Sequence, residues 1–521
     1  MCFRFRLRYW CLSRSRAKSY MFYLAAFKCE SYQKKLVLLY LIRILHHVGS
    51  VNSDTSFLCT QDYLDTLSFA DIQRMPPVEV YKEERIRPSY LFTELRSAEN
   101  WLKHKHLDDD LQGLWRIHDG LYDLSGFLDK HPGGRQWLEI SKGTDCTEAF
   151  ESHHLGKKAE KILPKFFVNV ASAPRGVDYT FLKDGFYNSL KTEVKYVLKT
   201  LPIKKIEAQS KIIMDTIACT TLLLVAAAAY ESSYTIATVS GVLLAFTANA
   251  GHNFFHKKDN WRMYYIHLSL LSVRDWRIYH CLSHHVYTNT LQDLELTSFE
   301  PFFNFTPDPK KNWIQRFLSW VYYPFIHATM CHAEFFSRCH HETLSMSELL
   351  IALVIPTLLF VANGGYIISA ILMWTWIICV ASLFQNITDI VATHRSVDFV
   401  QGDAPRRDRD WGLAQIDTTK DNQRLIGNHF FALIMFGDHT LHHLFPTVDH
   451  GVLKYLYPVF LRTCERFNVK WETQSSFRED SLRRTAFDCW VRNKKNVSHC
   501  LSEDCLKSKY EVHVSVELRA A

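Results

Sequence analysis

Histidine supplies 26 of the 521 residues, and most of these imidazoles fall in short clusters rather than being scattered. "GHNFFHKK" carries His252 and His256, "WRIYHCLSHHVYTNTLQDLE" carries His280, His284 and His285, and "FGDHTLHHLFPTVDH" carries His439, His442 and His443, with His450 close behind. Neutral imidazole is the commonest metal ligand among side chains, and spacings of three and four place such rings on one helix face. On an α-helix His280 and His284 align, while His285 is rotated by roughly 100°, enough to address a second metal or the other side of one. Eight histidines exceed the three or four ligands of a single zinc site and fit two ions lined mainly by nitrogen. Two such ions can bind and cleave O2 between them, which yields an oxidant able to remove hydrogen from an unactivated C–H bond. His394 in "IVATHRSVDF" and His450 are possible further ligands, and Asn386 is a lesser one; His327, His332, His340 and His341 fit no set and read as surface or interfacial residues.

A second constellation lies upstream, in "WRIHDGLYDLSGFLDKHPGGRQWLEISKGTDCTEAFESHHLGKKAEKIL", residues 115–163. Pro132, Gly133 and Gly134 stop the preceding turn abruptly and leave His131 projecting. His154, or its neighbour His153, follows the amphipathic "TEAFE". Two neutral histidines facing each other across a flat apolar slot are what a six-coordinate haem iron requires. Leu124, Phe127, Leu128, Trp137, Leu138 and Phe150 can line that slot. With both axial positions filled by protein, electron transfer is the task that remains.

The elements that must hold these residues read as two modules. Residues 1–90 form a basic N-terminal extension and linker; the first fifty hold ten Lys/Arg against one acidic residue, a pattern shared by transit peptides and by dispensable extensions. The rest of the chain is near neutral despite the net charge of +7, so nucleic-acid binding lacks a basic stripe to support it. Fourteen dispersed cysteines form no CxxC pair and suit a reducing compartment. Residues 91–172 are compact and soluble in pattern, and 173–211 read as a connector. From 212 to 465 two pairs of apolar runs appear, 212–250 and 347–384, each run near the length a membrane helix requires. Positive flanks at both ends of the first pair point to the cytosol, and an even number of crossings keeps all three histidine sets on that side. Residues 466–521 form a C-terminal tail without an interpretable motif.

Residues 91–172 resemble cytochrome b5 through "DGLYDLSGFLDKHPGG" and "KGTDCTEAF" followed by histidine. The resemblance implies an α+β haem module with a b-type haem held by His131 and His154, since the second ligand follows the phenylalanine matching Phe150 by four or five residues; His153 is the alternative. Residues 212–465 resemble the membrane fatty acid desaturases, which implies an all-α domain of four transmembrane helices with a cytosolic pair of non-haem irons on His252, His256, His280, His284, His285, His439, His442 and His443. Trp276, Thr288 and Asn289 match the residues framing the second box. The fused layout is similar to that of b5-fusion desaturases, and above all to that of the cytochrome b5-related type. Box one reads HNFFH rather than HDxGH, box two has one more residue between its histidines than HNxHH, and box three has His439 where those fusions place glutamine, so regiochemistry does not carry over. The implied function is O2-dependent desaturation of a fatty acyl lipid or acyl-CoA at the endoplasmic reticulum membrane, with electrons from NADH through a separate b5 reductase, because the chain has no GxGxxG to take hydride itself. A lipid hydroxylase would use similar boxes, and a non-catalytic haem redox protein with a desaturase-like membrane domain is a third expectation.

Overall fold

In a computed structural model, residues 91, 96–303, 311–391, 394, 409–471 and 473–474 are described; the basic extension and the tail beyond 474 lie outside them. Helix α1 (Ala98–Asp109) starts at Ser97, whose hydroxyl accepts from the Asn100 N–H, and stops at left-handed Asp110. Three short antiparallel strands follow in the order β1 (Trp115–Ile117), β2 (Gly120–Tyr122) and β3 (Phe167–Val170). Between β2 and β3 lie the HPGG turn and helices α2 (Arg135–Ser141) and α3 (Thr147–His153), an α+β arrangement. The two glycines of the turn are needed for different reasons. A Cβ on Gly133 would run into the His131 ring, and one on Gly134, at φ +113°, would run into the Asp259 carboxylate.

The stretch expected to connect the modules instead carries helix α4 (Phe186–Thr200), which buries Phe186, Tyr187, Leu190 and Val194 against Trp411, Leu441 and Phe445. At about 2 kcal/mol per fully buried large apolar side chain, this packing is too favourable for a loose tether.

Among the described residues three helices are long and apolar enough to cross a membrane: α5 (Ile203–Tyr230), α6 (Tyr234–Phe255) and residues 367–388 of α7 (Ile367–Val391). The 28 residues of α5 rise about 42 Å, more than a hydrocarbon core of about 30 Å. The remaining apolar run, 346–362, is shorter and is split into Met346–Ala352 and Val354–Ala362. Asp215, the acid within α5, is paired with Arg262 through bonds of 2.9 and 2.6 Å, so its charge is compensated locally. Helices α6 and α7 pack so closely that a Cβ on Gly241 would overlap Val380 and the Ile377 carbonyl.

Within the haem-like module, Arg175 reaches back to Asp145 at 2.7 Å and to Glu148, both buried on the first turn of α3 or beside it. Removing one member of a buried ion cluster leaves the others uncompensated, at a cost of about 3–5 kcal/mol. Arg175→Ala should therefore lower the urea midpoint of segment 115–170 in pulse proteolysis; an unchanged midpoint would show the cluster to be solvated.

Candidate functional site

Box one sits at the C-terminal end of α6, where His252 and His256 share a face as their spacing requires, with Nε2 atoms 3.0 Å apart. Box two departs from the expected pairing. Arg277–His284 is a π-helix, whose i→i+5 bonding brings His280 and His285 together with their Nε2 atoms 2.9 Å apart. His284 stacks beside His280 with ring centres 5.2 Å apart, but its Nε2 meets that of His394. Box three lies on helix α9 (His439–Leu444), where His439 and His443 share one side with ring centres 4.7 Å apart, and His442 faces the opposite side.

Two groups result. His252, His256, His280, His285 and His442 form the first, all buried, with candidate ligand atoms within 4.8 Å of one another. His280 and His442 each bring Nε2 to that of His252, at 2.7 and 3.1 Å. His284, His394 and His443 form the second, and His439 joins it through an Nε2 contact of 2.5 Å with His394. The groups adjoin, since His285 and His443 stack at 4.0 Å. Two nitrogens bound about 2.0–2.1 Å from one ion and at right angles are about 3 Å apart, the spacing seen in both groups.

Five of the rings are oriented by what their outer nitrogen meets, whereas the Nδ1 atoms of His252, His285 and His439 are enclosed without a hydrogen-bond partner among the described residues. Glu295 faces His280 Nδ1 at 2.5 Å and lies 3.6 Å from His284 Nδ1, and Asp293 faces His284 Nδ1 at 3.0 Å. The Thr418 carbonyl faces His394 Nδ1 at 3.0 Å, and Gln415, on α8 (Trp411–Thr418), faces His443 Nδ1 at 3.1 Å. His450 Nε2 lies 3.2 Å from His442 Nδ1 while its Nδ1 meets the Ala432 carbonyl, so His450 braces a box histidine and is not a member of either group. Burial, and then the neighbouring imidazoles, hold His285, His439, His442 and His443 far below the ordinary imidazole range. They are neutral at pH 7, the form that binds metal.

In the upstream module the His131 and His154 rings face each other with centres 6.2 Å apart. Their Nδ1 atoms lie 2.9 Å from the Gly134 and Phe150 carbonyls respectively, which leaves both Nε2 atoms available. Phe150 packs on His154 at 4.7 Å, and Phe127 on Phe166 at 5.0 Å. Leu128 is half-buried beside them. His153 packs on Trp137 at 5.3 Å, and Trp137 Nε1 donates to the Lys257 carbonyl at 3.4 Å across a module contact.

Comparison with known proteins matches the family described as fatty acid desaturase over residues 232–475, and that described as cytochrome b5-like haem/steroid binding domain over 98–171. The "Cytochrome b5-related protein" of Drosophila melanogaster is 39% identical over 402 residues, covering 75% of this chain and 92% of its own. The chain belongs to the cytochrome b5-related family. The Drosophila virilis protein of the same name is 43% identical over 127 residues, 24% of this chain and 89% of its own. More distantly, the "Probable Delta(5) fatty acid desaturase C" of Dictyostelium discoideum is 26% identical over 445 residues, 74% of this chain and 93% of its own. No solved structure matches.

Members of this family therefore join a haem-binding cytochrome b5 module to a desaturase module, and the desaturase family implies a di-iron centre, a lipid substrate and a membrane setting. The residues present fit both groups. His443 Nε2 is enclosed without a hydrogen-bond partner among the described residues, and the paired Nε2 atoms of His131 and His154 suit axial ligation. Glu295, Asp293, Gln415 and Phe166 were not singled out from sequence. "QDLE" beyond box two held a usable signal, because a metal-bound imidazole commonly donates its other N–H to a carboxylate.

Loss of such a brace typically weakens metal binding about 10–100-fold. Glu295→Gln and His450→Ala should each raise the iron dissociation constant by that factor in chelator competition, and retention equal to wild type would contradict the bracing role. The buried neutral histidines also predict a pH effect. In the metal-free protein the unfolded chain binds more protons than the folded one below an imidazole pKa of about 6.5, so stability should fall as pH drops through that value, and iron should oppose the loss. A flat melting temperature between pH 7 and 5 would contradict this.

Proposed function

We propose that this chain is a membrane-bound, O2-dependent fatty acyl desaturase that takes its electrons through its own haem module. The observation that carries the reading is the convergence of the eight box histidines with His394 into two adjoining buried groups. On this reading His252, His256, His280, His285 and His442 hold one iron, His284, His394, His439 and His443 hold the second, and His131 and His154 hold a b-type haem. When bound, the iron pair supplies O2 activation and the haem supplies one-electron storage.

The net reaction fixes what the protein must deliver. An acyl –CH2–CH2– unit, O2, two electrons and two protons become –CH=CH– and two waters. NADH through a separate b5 reductase is the electron source we assign. The chain's own residues keep the rings neutral, fix their directions through Glu295, Asp293 and Gln415, and exclude bulk water by burial. Because box one ends a membrane-length helix, the site lies where a chain leaving the bilayer can reach it. We place four crossings in the endoplasmic reticulum membrane, with 346–362 as the third, and the haem module and boxes on the cytosolic side.

Expression in a host of defined lipid composition, followed by fatty acid profiling, tests the assignment. The wild type should yield a new unsaturated acyl chain, with non-haem iron in twofold excess over haem. His284→Ala should abolish product, and His131→Ala should abolish it while leaving non-haem iron in place. A hydroxylated product would overturn desaturation in favour of lipid hydroxylation, and haem without non-haem iron would leave only a haem redox protein.

A further inference from the structure

Arg277 is fully buried at the head of box two, three residues before His280. Its Nε donates to the Phe255 carbonyl at 3.1 Å and its Nη2 to the Lys257 carbonyl at 3.4 Å, the two carbonyls that flank His256. The same guanidinium turns toward the upstream module. Nη1 donates to Gln136 Oε1 at 2.9 Å, and the plane lies 4.4 Å over the Trp137 ring, both on the helix that directly follows HPGG. Nη2 also pairs with Asp259 at 2.8 Å, and the Asp259 N–H donates to the Gly133 carbonyl at 3.0 Å. One side chain thus joins box one, box two and the loop that carries His131.

Two further contacts make the junction extensive. On the opposite side Tyr187 donates from its hydroxyl to the Leu444 carbonyl, next to His443, at 3.2 Å, and Lys191 donates to the Glu151 carbonyl of α3 at 2.7 Å. Between these ties, Trp101, Leu102 and Ile140 of the upstream module share an apolar cluster with Ile278, Val286 and Tyr287 of box two. Contacts between domains that move are characteristically small and polar. Separation here would expose buried aromatic and aliphatic side chains and strand a guanidinium with several partners.

We propose that the haem module works in this docked position, with Arg277 as the positioning residue that locks the His131 loop to box one, and not as a carrier that swings on its connector. The proposal rests on the haem and di-iron reading above. It has the consequence that each electron leaving ferrous haem, on its way to the iron pair and O2, crosses a gap of fixed length.

Hydrogen exchange on the full-length, haem-loaded protein in lipid nanodiscs provides the test. In the wild type, segments 131–141 and 255–260 should be protected together. Arg277→Gln should raise exchange in both at least tenfold with the visible haem spectrum unchanged, and should slow substrate-dependent reoxidation of ferrous haem in air at least tenfold. Arg277→Lys, which keeps the charge and loses the fork, should behave like Arg277→Gln. Should Arg277→Gln fail to fold, Gln136→Leu removes one tie from the haem side and should raise exchange in the same two segments. Fast exchange of 131–141 in the wild type beside a protected 255–260, or unchanged reoxidation after the junction has opened, would overturn the proposal. Failure of the underlying reading is visible separately, as absence of haem or of non-haem iron, and leaves the exchange result to report on docking.

Discussion

A buried imidazole has two nitrogens to satisfy, and nine of them brought together can coexist only if the rings stay neutral; five, His280, His284, His394, His442 and His443, are also oriented by a partner on the outer side. This constraint organises the part of the desaturase module that carries the boxes. If the inner nitrogens are to converge, acceptors must be delivered behind them, and they come from segments outside the boxes. Asp293 shows how tightly this is arranged. It faces His284, accepts from the Asn289 N–H at 2.8 Å, and caps the short helix Leu294–Thr297 through the Glu295 and Leu296 N–H groups. Burial alone would raise its pKa, but His284 and these donors bring it below the ordinary value, so it stays ionised and serves as an acceptor. The turn after box two is thereby fixed by the need to orient a ring within it.

The same constraint explains which parts of the site were legible in the sequence. Box one and box three are α-helical, and a spacing of four paired His252 with His256 and His439 with His443, whereas the spacing of three between His439 and His442 did not, because His442 belongs to the other group. In box two His280 and His284 do stack as a spacing of four requires, but the backbone there is π-helical and also brings His280 and His285, five apart, together; nothing in "HCLSHH" distinguishes this local winding from an α-helix. His394 is a lone histidine between segments outside the described residues, and only the chain path brings it to His284 and His439. His450 was legible as a neighbour of box three but not as a brace, a distinction that depends on whether Nε2 points into the group or at another ring.

The upstream module was read well for a related reason. Its signals are local: a turn that only glycine can make, a helix that ends at the second histidine, and aromatic residues within a few positions of each ring. What the sequence hid is its attachment. The 173–211 stretch has the composition of a connector, yet α4 within it packs against the box-three helix, because a helix that is apolar on one face is stable only when that face finds a partner. Trp137 was read from sequence only as a residue of the haem slot, and its stacking under Arg277 was not foreseen. A large aromatic on a helix of seven residues can face either a cofactor or a neighbouring module, and the sequence around it is the same in both cases.

Charge near the membrane needs the same care, since a side chain counts toward orientation only if it is not already neutralised within the fold. The flank after α6, "HKKDNWR", looks strongly positive. Lys257, however, pairs with buried Asp449 at 2.5 Å, and Arg262 is engaged with Asp215. Much of that charge is therefore structural: it joins box one to the end of box three and compensates an acid inside a membrane-length helix. The flank before α5 is different, for Lys204, Lys205 and Lys211 are exposed on its first turns. Because α5 and α6 form a hairpin with a short turn at Glu231–Ser233, the start of α5 and the end of α6 lie on the same side. The side proposed for the histidines therefore draws its support from the exposed lysines at the start of α5, not from the more conspicuous basic run beside box one.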